Sequence, residues 1–165
     1  MAELKHYENC LIGIDPGVSG GIAYIFCDKD FNIKHITAMK FNEFSSIALF
    51  DLAMEYSNNQ FVYLEQVSGV SGESAMNAFA FGTNYGEWKG IIKSSGLKIN
   101  YVLPLKWQSM IAGEHVGKPR NERKRAYKEI AQTICNDYKL KVTMPIADAV
   151  LITYYGWTLN QRSSV

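Results

Sequence analysis

The first apolar run of the chain is the feature that most limits its fold. The run CLIGID occupies residues 10–15, ends on Asp15, and is followed at once by Pro16 and Gly17. A short apolar run bounded by turn residues is typical of a strand that is buried on both faces of a sheet. The run therefore predicts an internal strand of a covered sheet, and Asp15 either caps a turn or faces a ligand.

The rest of the pattern predicts strands and helices in the order β-β-β-α-β-α-β-α-α-α. The predicted strands are residues 10–15, 20–28, 31–40, 60–67 and 97–103, and the predicted helices are residues 42–59, 74–96, 104–113, 122–138 and 145–159. Short links join the first three strands as an antiparallel meander, and βα units follow. The chain therefore predicts an α/β fold with a mixed five-stranded sheet and helices on both faces.

Length and composition set broad limits. The 165 residues predict one domain, residues 1–165, with residues 1–8 and 160–165 expected to fray. The formal net charge of +1 excludes no class of partner, so local charge has to decide that question. Three cysteines without paired or metal-site spacing predict reduced thiols in the cytoplasm, and no apolar run predicts a signal peptide or a membrane span.

Three acids follow or interrupt buried-type segments. Asp15 ends the first strand, Glu65 lies near the end of the fourth, and Asp148 lies in the apolar stretch ADAVLIT at the start of the last helix. If the first and fourth strands pair in parallel, Asp15 and Glu65 reach the same edge of the sheet. No basic residue lies near any of the three in the sequence, so their convergence requires a hard cation such as Mg²⁺. Two such ions about 4 Å apart can clamp a phosphodiester during hydrolysis.

Each acid also has a structural interpretation. Asp15 before Pro-Gly suits a turn, Glu65 suits a surface ion pair at a strand end, and Asp148 suits the positive end of a helix dipole. The joint pattern of two strand-ending acids and one acid on a buried-type helix favours a shared site.

A basic cluster and an aromatic helix supply the candidate interfaces. The segment 118–128, KPRNERKRAYK, carries a local charge of +5, and its basic residues are Lys118, Arg120, Arg123, Lys124, Arg125 and Lys128. A concentrated basic face predicts contact with phosphates, whereas its structural interpretation is a solvated helix face. Lys106 is a weaker candidate for the same role. On the predicted helix 74–96, the spacing of Phe81, Gly82, Tyr85 and Trp88 predicts a core or a dimer interface.

The motifs together resemble a known family. The segments IGIDPG followed by GIA, YLEQV, and ADAVLI resemble those of RuvC-type Holliday-junction resolvases, which have the ribonuclease H-like fold. The segments FGTNYGEWKGII, LPLKWQ and ERKRAYKEIA fit in the same order, so the resemblance covers most of residues 10–158. The short chain most resembles bacteriophage members, which act in the cytoplasm of the host cell.

The resemblance implies a homodimeric crossover-junction endodeoxyribonuclease of DNA recombination and repair. Such enzymes nick two strands of a four-way DNA junction with Mg²⁺ or Mn²⁺, with two ions in each active site and without a nucleotide cofactor or a membrane. Asp15, Glu65 and Asp148 match the first, second and last of the four metal ligands that the family usually has. These three are therefore the expected catalytic and metal-binding residues.

The chain departs from the family pattern at two places. Residues 143–147, Thr-Met-Pro-Ile-Ala, include no carboxylate or histidine where the family has its remaining ligand. After Gln66 and Val67, where some relatives have an aromatic wedge, this chain has Ser68 and Gly69, which are expected to contact DNA without a wedge.

Two other functions remain open. The absent fourth ligand is compatible with a protein that binds junctions without cutting them. The segment IGIDPGVSGGIA also suits the phosphate loop of actin-like kinases and ATPases, although those proteins need two such domains.

Overall fold

The computed structural model describes residues 6–17, 19–67 and 74–163. The strands are β1 (Tyr7–Asp15), β2 (Gly21–Cys27), β3 (Ile33–Lys40), β4 (Ser57–Glu65) and β5 (Ile99–Val102). The α-helices are α1 (Glu43–Glu55), α2 (Ala75–Ser94), α3 (Pro104–Ala112), α4 (Arg120–Cys135) and α5 (Met144–Ser163). Short 3₁₀ helices follow α3 and α4, at Gly113–His115 and Asn136–Tyr138. The predicted order of elements is confirmed.

The five strands form one mixed sheet in the order β3-β2-β1-β4-β5. Strand β2 is antiparallel to both β1 and β3, which is the predicted meander, whereas β1, β4 and β5 run parallel. Strand β1 is therefore the central strand, and it lies beside β4 in the parallel arrangement on which the predicted site depends.

Both faces of the sheet are covered, and alternate residues of β1 contribute to two separate cores. Leu11 packs in a core with side chains of α3, α4 and α5. Ile12 and Ile14 pack on the opposite face with side chains of α1 and α2. This two-sided burial accounts for the continuous apolar run at residues 10–14, and it confirms the predicted helices on both faces.

Helix α5 crosses the sheet in close contact with β1 and β2. A Cβ atom at Gly13 would overlap the side chain of Thr153, and one at Gly21 would lie 2.9 Å from the carbonyl oxygen of Pro145. Two glycines on the sheet therefore allow the helix backbone to approach more closely than any side chain would permit. This approach sets the height of α5 above the ends of the strands.

Some strands and helices extend beyond their predicted bounds, because polar residues at their ends also belong to them. Strand β1 begins at Tyr7, which pairs with Ser57 of β4, so β4 begins three residues earlier than predicted. Helix α5 continues to Ser163, and Asn160 Nδ2 donates to the hydroxyl of Tyr63 at 2.7 Å. Residues 7–8 and 160–163, which were expected to fray, therefore belong to β1 and α5, whereas residues 1–5 and 164–165 lie outside the described residues.

Helix α2 has one buried side and one exposed side. Trp88 is fully buried, with its ring edge-on to Phe41 at 5.5 Å between centroids. The prediction that Trp88 belongs to a dimer interface is therefore wrong, because its side chain fills the core of its own chain. On the exposed side, Met76 and Phe79 retain 80% and 79% of their accessible surface.

Cys10, Cys27 and Cys135 are all buried and free. Within the described residues, no helix combines the length and the apolar character needed to span a membrane.

We predict that Gly13→Ala destabilises the protein by about 1–3 kcal/mol, because the new methyl group overpacks the contact between β1 and α5. At roughly 2–4 °C per kcal/mol for a chain of this size, thermal denaturation would show a clear loss. The matched control is Gly90→Ala on α2, where the added Cβ atom meets open space. This substitution should stabilise the helix by up to about 1 kcal/mol. Equal effects of the two substitutions would contradict the close packing of α5.

Candidate functional site

The two strand-ending acids lie side by side on the face of the sheet that α5 covers. Ile14 of β1 pairs with Leu64 of β4, so the next residues, Asp15 and Glu65, are neighbours at the carboxyl edge. Side chains alternate along a strand, and Asp15 is in phase with Leu11, whose core includes α5. The predicted convergence of these two acids is therefore present in the structure.

Helix α5 adds the third acid. Asp15 pairs with Gly21 of β2, and the start of α5 lies directly against Gly21. The helix begins at Met144, so Asp148 lies just over one turn into it, where only 8% of its surface is exposed. The charges of Asp148 and Glu65 both act on Asp15, which places the three acids in one electrostatic site.

Burial and nearby negative charge disfavour the ionised forms of Asp15 and Glu65. Burial raises the pKa of Asp15 well above its usual value, and the charges of Asp148 and Glu65 raise it further, against a lowering by Lys124. Burial also raises the pKa of Glu65, although a hydrogen bond from Trp107 opposes this change. The site therefore holds more negative charge than its environment stabilises without a cation.

Trp107 of α3 is a site residue that the sequence analysis missed. Its indole Nε1–H donates to Glu65 Oε1 at 2.7 Å, and the residue is fully buried. The indole ring also packs edge-on against Tyr127 of α4, with 5.2 Å between the ring centroids. A buried tryptophan needs a partner for its N–H group, and that requirement is the signal in LPLKWQ that could have indicated Trp107.

Lys124 of α4 occupies a different place from the one expected of it. Its Nζ lies 2.5 Å from Oδ2 of Asp148 and forms an ion pair there, whereas the sequence analysis placed it on an outer DNA-binding face. The sequence analysis found no basic residue near the acids along the chain, and α4, which packs on α5, supplies one from 24 residues away. The other oxygen of this carboxylate, Oδ1, is buried and has no hydrogen-bond partner in the described part of the chain.

The donor chemistry of the site fits a hard cation. Three carboxylates meet at the sheet edge, the ionisation of Asp15 is disfavoured, and Asp148 Oδ1 has an unused acceptor position. As the side chains stand, no three His, Cys, Asp or Glu residues among those described enclose a metal position, and the ammonium group of Lys124 lies against Asp148. Binding of a cation therefore requires the carboxylates to close in and Lys124 to move.

A basic cleft adjoins the acids. It has a volume of about 430 Å³ and is lined by Ser19, Arg120, Asn121, Lys124, Arg125, Met144 and Pro145. Pro145 lies in the stretch 143–147, which has no carboxylate or histidine, and none of the described lining residues is acidic. The cleft is therefore suited to an anion beside the carboxylates.

A second cleft continues along α4. It is lined by Arg125, Lys128, Glu129, Gln132, Lys141, Val142 and Met144, so it shares two residues with the first. Lys141 is a basic residue of this surface that the sequence analysis missed, because it lies outside the charged run at 118–128. We call the surface formed by both clefts the basic groove.

The other predicted DNA-binding residues are placed as follows. Lys118 is exposed in the loop before α4, Lys106 is exposed on α3, and Arg123 is half-buried near Tyr127. The structure does not bring Lys118 or Lys106 into the basic groove. Ser68 and Gly69 lie outside the described residues.

Comparison with known proteins identifies the fold. No family model and no curated protein matches the chain. A structure of Thermus thermophilus RuvC in complex with a Holliday junction substrate is similar, with a TM-score of 0.62, 14% identity, and coverage of 93% of this chain and 96% of that one. The chain has the fold of RuvC. A second structure of the Thermus protein gives a TM-score of 0.60 at 16% identity, with the same coverage. The predicted ribonuclease H-like fold is confirmed, whereas the resemblance to bacteriophage members stays a prediction.

We predict that Asp15→Asn stabilises the cation-free protein at neutral pH. Because folding raises the pKa of this carboxyl, the wild type loses stability as the pH rises from the unfolded value of about 4 towards the folded value. Thermal denaturation in EDTA between pH 5 and 8 should show a gain of about 3 °C or more at pH 8, and a smaller gain at pH 5.

The control for this measurement is Asp137→Asn, which removes an exposed carboxylate outside the site. It should leave the melting temperature unchanged across the range. A gain for Asp15→Asn that did not depend on pH would contradict the proposed electrostatic origin.

Proposed function

We propose that this protein is a metal-dependent endonuclease that cuts branched DNA, with four-way junctions as its substrate. The observation that carries the proposal is the convergence of Asp15, Glu65 and Asp148 at the sheet edge of a RuvC fold, directly beside the basic groove. The Thermus RuvC of the same fold is seen with a Holliday junction substrate, which supports the choice of DNA.

The three acids are the proposed ligands of Mg²⁺ or Mn²⁺. When bound, such a cation polarises the phosphodiester and favours ionisation of an attacking water. Trp107 fixes one oxygen of Glu65, so that carboxylate is held in place before any cation arrives. The side chain of Pro145 supplies no ligand atom, so the predicted second ion would have fewer side-chain ligands here than in the family pattern and would rely more on the substrate phosphate.

Lys124 has a proposed double role. In the absence of a cation, its ammonium group neutralises Asp148, which is otherwise a buried charge. When a cation takes over that carboxylate, Lys124 is released within the basic groove, which it also lines. There it is available to a phosphate oxygen of the bound strand, together with Arg120 and Arg125.

The proposed enzyme acts as a homodimer, since paired nicks across a junction require two sites. The exposed side of α2 is the proposed interface, because it presents Met76 and Phe79 to solvent and carries Gly82 without a side chain. Phe81 and Tyr85 stack with 6.4 Å between their ring centroids and remain half-buried at the margin of this surface. An exposed apolar surface of this kind is typical of an association site.

A junction-binding protein without nuclease activity is the second candidate. The ion pair between Lys124 and Asp148, together with Pro145 at the place of a ligand, favours it. Both candidates predict junction binding, so only a cleavage assay separates them.

The deciding experiment is a nicking assay on a labelled four-way junction, a flap and a linear duplex, with Mg²⁺, Mn²⁺ or EDTA. We expect paired, cation-dependent nicks on the junction. Asp15→Asn should reduce cleavage by at least about 100-fold and still bind the junction, because it removes a cation ligand and no basic residue. Asp137→Asn is the matched control and should cut at the wild-type rate.

The outcome that supports the second candidate is tight junction binding with no product in either metal. Cleavage by Asp15→Asn at the wild-type rate would remove that residue from the site. Products from the linear duplex at the same rate as from the junction would contradict selectivity for branched DNA.

The basic groove generates a separate prediction about binding. We expect the double substitution Arg125→Ala and Lys128→Ala to make the salt dependence of DNA binding shallower. The slope of log K, where K is the association constant, against log salt concentration should fall in magnitude by about 2, since each lost phosphate contact removes about 0.9. The matched control is Lys29→Ala with Lys98→Ala, which removes the same charge from exposed positions at the opposite edge of the sheet. An equal change of slope in both variants would show that only net charge matters.

A further inference from the structure

Asn84 of α2 makes a buried contact with the turn that follows Asp15. Its side-chain oxygen accepts the backbone N–H of Gly17 at 2.6 Å, which joins residues 67 positions apart in the sequence. Asn84 is only 2% exposed and lies on the buried side of α2, in line with Trp88 and Ile92. A polar side chain therefore stands where the pattern of the helix calls for an apolar one.

The turn itself is tightly constrained. Gly17 has a φ angle of +125°, which residues other than glycine rarely adopt. A Cβ atom at this position would lie 3.4 Å from the ring of Phe81 on α2. The N–H of Gly20 donates to the carbonyl of Gly17 at 2.9 Å, and a Cβ at Gly20 would overlap the carbonyl group of Asp15. The backbone after Asp15 therefore turns back towards that residue, and α2 contacts this turn at Gly17.

Of the two polar groups of the Asn84 amide, only the oxygen has a hydrogen-bond partner among the described residues. The Nδ2 atom is buried and has no hydrogen-bond partner in the part of the chain that the structure describes. Burying an amide in place of an apolar side chain is unfavourable unless the amide is hydrogen-bonded. The part of the side chain that is used is the oxygen that holds Gly17.

The three acids differ in how they are held. Trp107 donates to Glu65, and Lys124 pairs with Asp148. Among the described residues, no side chain donates a hydrogen bond to the carboxylate of Asp15. The position of that carboxylate therefore depends on the backbone at the end of β1 and on the turn that Asn84 holds.

We propose that Asn84 is a positioning residue for Asp15. By holding the N–H of Gly17, it fixes the backbone that follows Asp15 and thereby the direction of the Asp15 carboxylate towards Glu65 and Asp148. Without the acceptor, the buried N–H of Gly17 would have no partner, and the turn would have to move to reach water. The consequence for cation binding rests on the proposed function, whereas the hold on the turn does not.

The first test is amide hydrogen exchange of Gly17, measured by NMR. We expect the N–H of Gly17 to be protected in the wild type and in Asn84→Asp, which keeps an oxygen acceptor. Protection should be lost in Asn84→Leu, which has a similar volume and no acceptor, while the amides of α2 remain protected. Asn84→Ala replaces Asn84→Leu if the larger apolar side chain prevents folding.

The second test is Mn²⁺ binding by calorimetry, followed by nicking and junction binding. Groups that orient a metal ligand typically contribute 10–100-fold to affinity or activity, so Asn84→Leu should lose about that factor in Mn²⁺ affinity and cleavage rate. Its dissociation constant for the junction should stay within about twofold, because no DNA-contacting residue has changed. Asn58→Leu at the start of β4, away from the acids and from the exposed side of α2, is the control and should match the wild type.

These measurements distinguish the inference from the proposed function. A wild type that neither binds Mn²⁺ nor cuts would overturn the proposed function, and the exchange of Gly17 would then decide the role of Asn84 alone. A protected Gly17 in Asn84→Leu, or an unchanged Mn²⁺ affinity beside a wild type that binds, would overturn the positioning role.

Discussion

The close approach of α5 to the centre of the sheet is the contact on which the site depends. Gly13 and Gly21 leave no side chain between the helix and strands β1 and β2. The helix therefore lies low enough for Asp148, just over one turn from its start, to reach the acids at the ends of β1 and β4. A larger residue at either glycine would raise the helix and separate the third acid from the other two.

That approach brings like charges together, and the surrounding helices offset the cost. Trp107 from α3 donates to Glu65, Lys124 from α4 pairs with Asp148, and Asn84 from α2 holds the turn after Asp15. Each helix that packs near the strand ends thus contributes one contact at the site, either to an acid or to the turn beside one. The remaining imbalance of charge, seen in the raised pKa of Asp15, is what a divalent cation would relieve.

The three acids and the basic groove lie side by side. Arg120 and Arg125 line the cleft between α4 and the start of α5. Lys124 lines the same cleft and contacts Asp148. An overall charge near zero conceals this arrangement, in which Glu65 and Asp148 are buried whereas Arg120 and Arg125 are exposed. The local pairing of opposite charges therefore explains more about the proposed substrate than the net charge does.

Much of this architecture could be predicted from the sequence, and the limits have a physical cause. The run that ends on Asp15 predicts a strand buried on both faces, which is a local property. The parallel pairing of this strand with β4 entered the sequence analysis only as a condition, because strand pairing joins segments far apart in the chain. The contacts of Lys124, Trp107 and Asn84 join residues 24, 42 and 67 positions apart, and they depend on the rotation of each helix about its axis. Helical periodicity also made Trp88 an apparent interface residue, because spacing alone does not distinguish a buried face from one that associates.

The most direct test of the central claim is a crystal structure of the protein soaked in Mn²⁺, with the ion located by its anomalous scattering. We predict a peak between Asp15, Glu65 and Asp148, with the Lys124 side chain moved away from Asp148 into the basic groove. The contradicting result is a crystal in which Lys124 still contacts Asp148 and no manganese lies at the three acids.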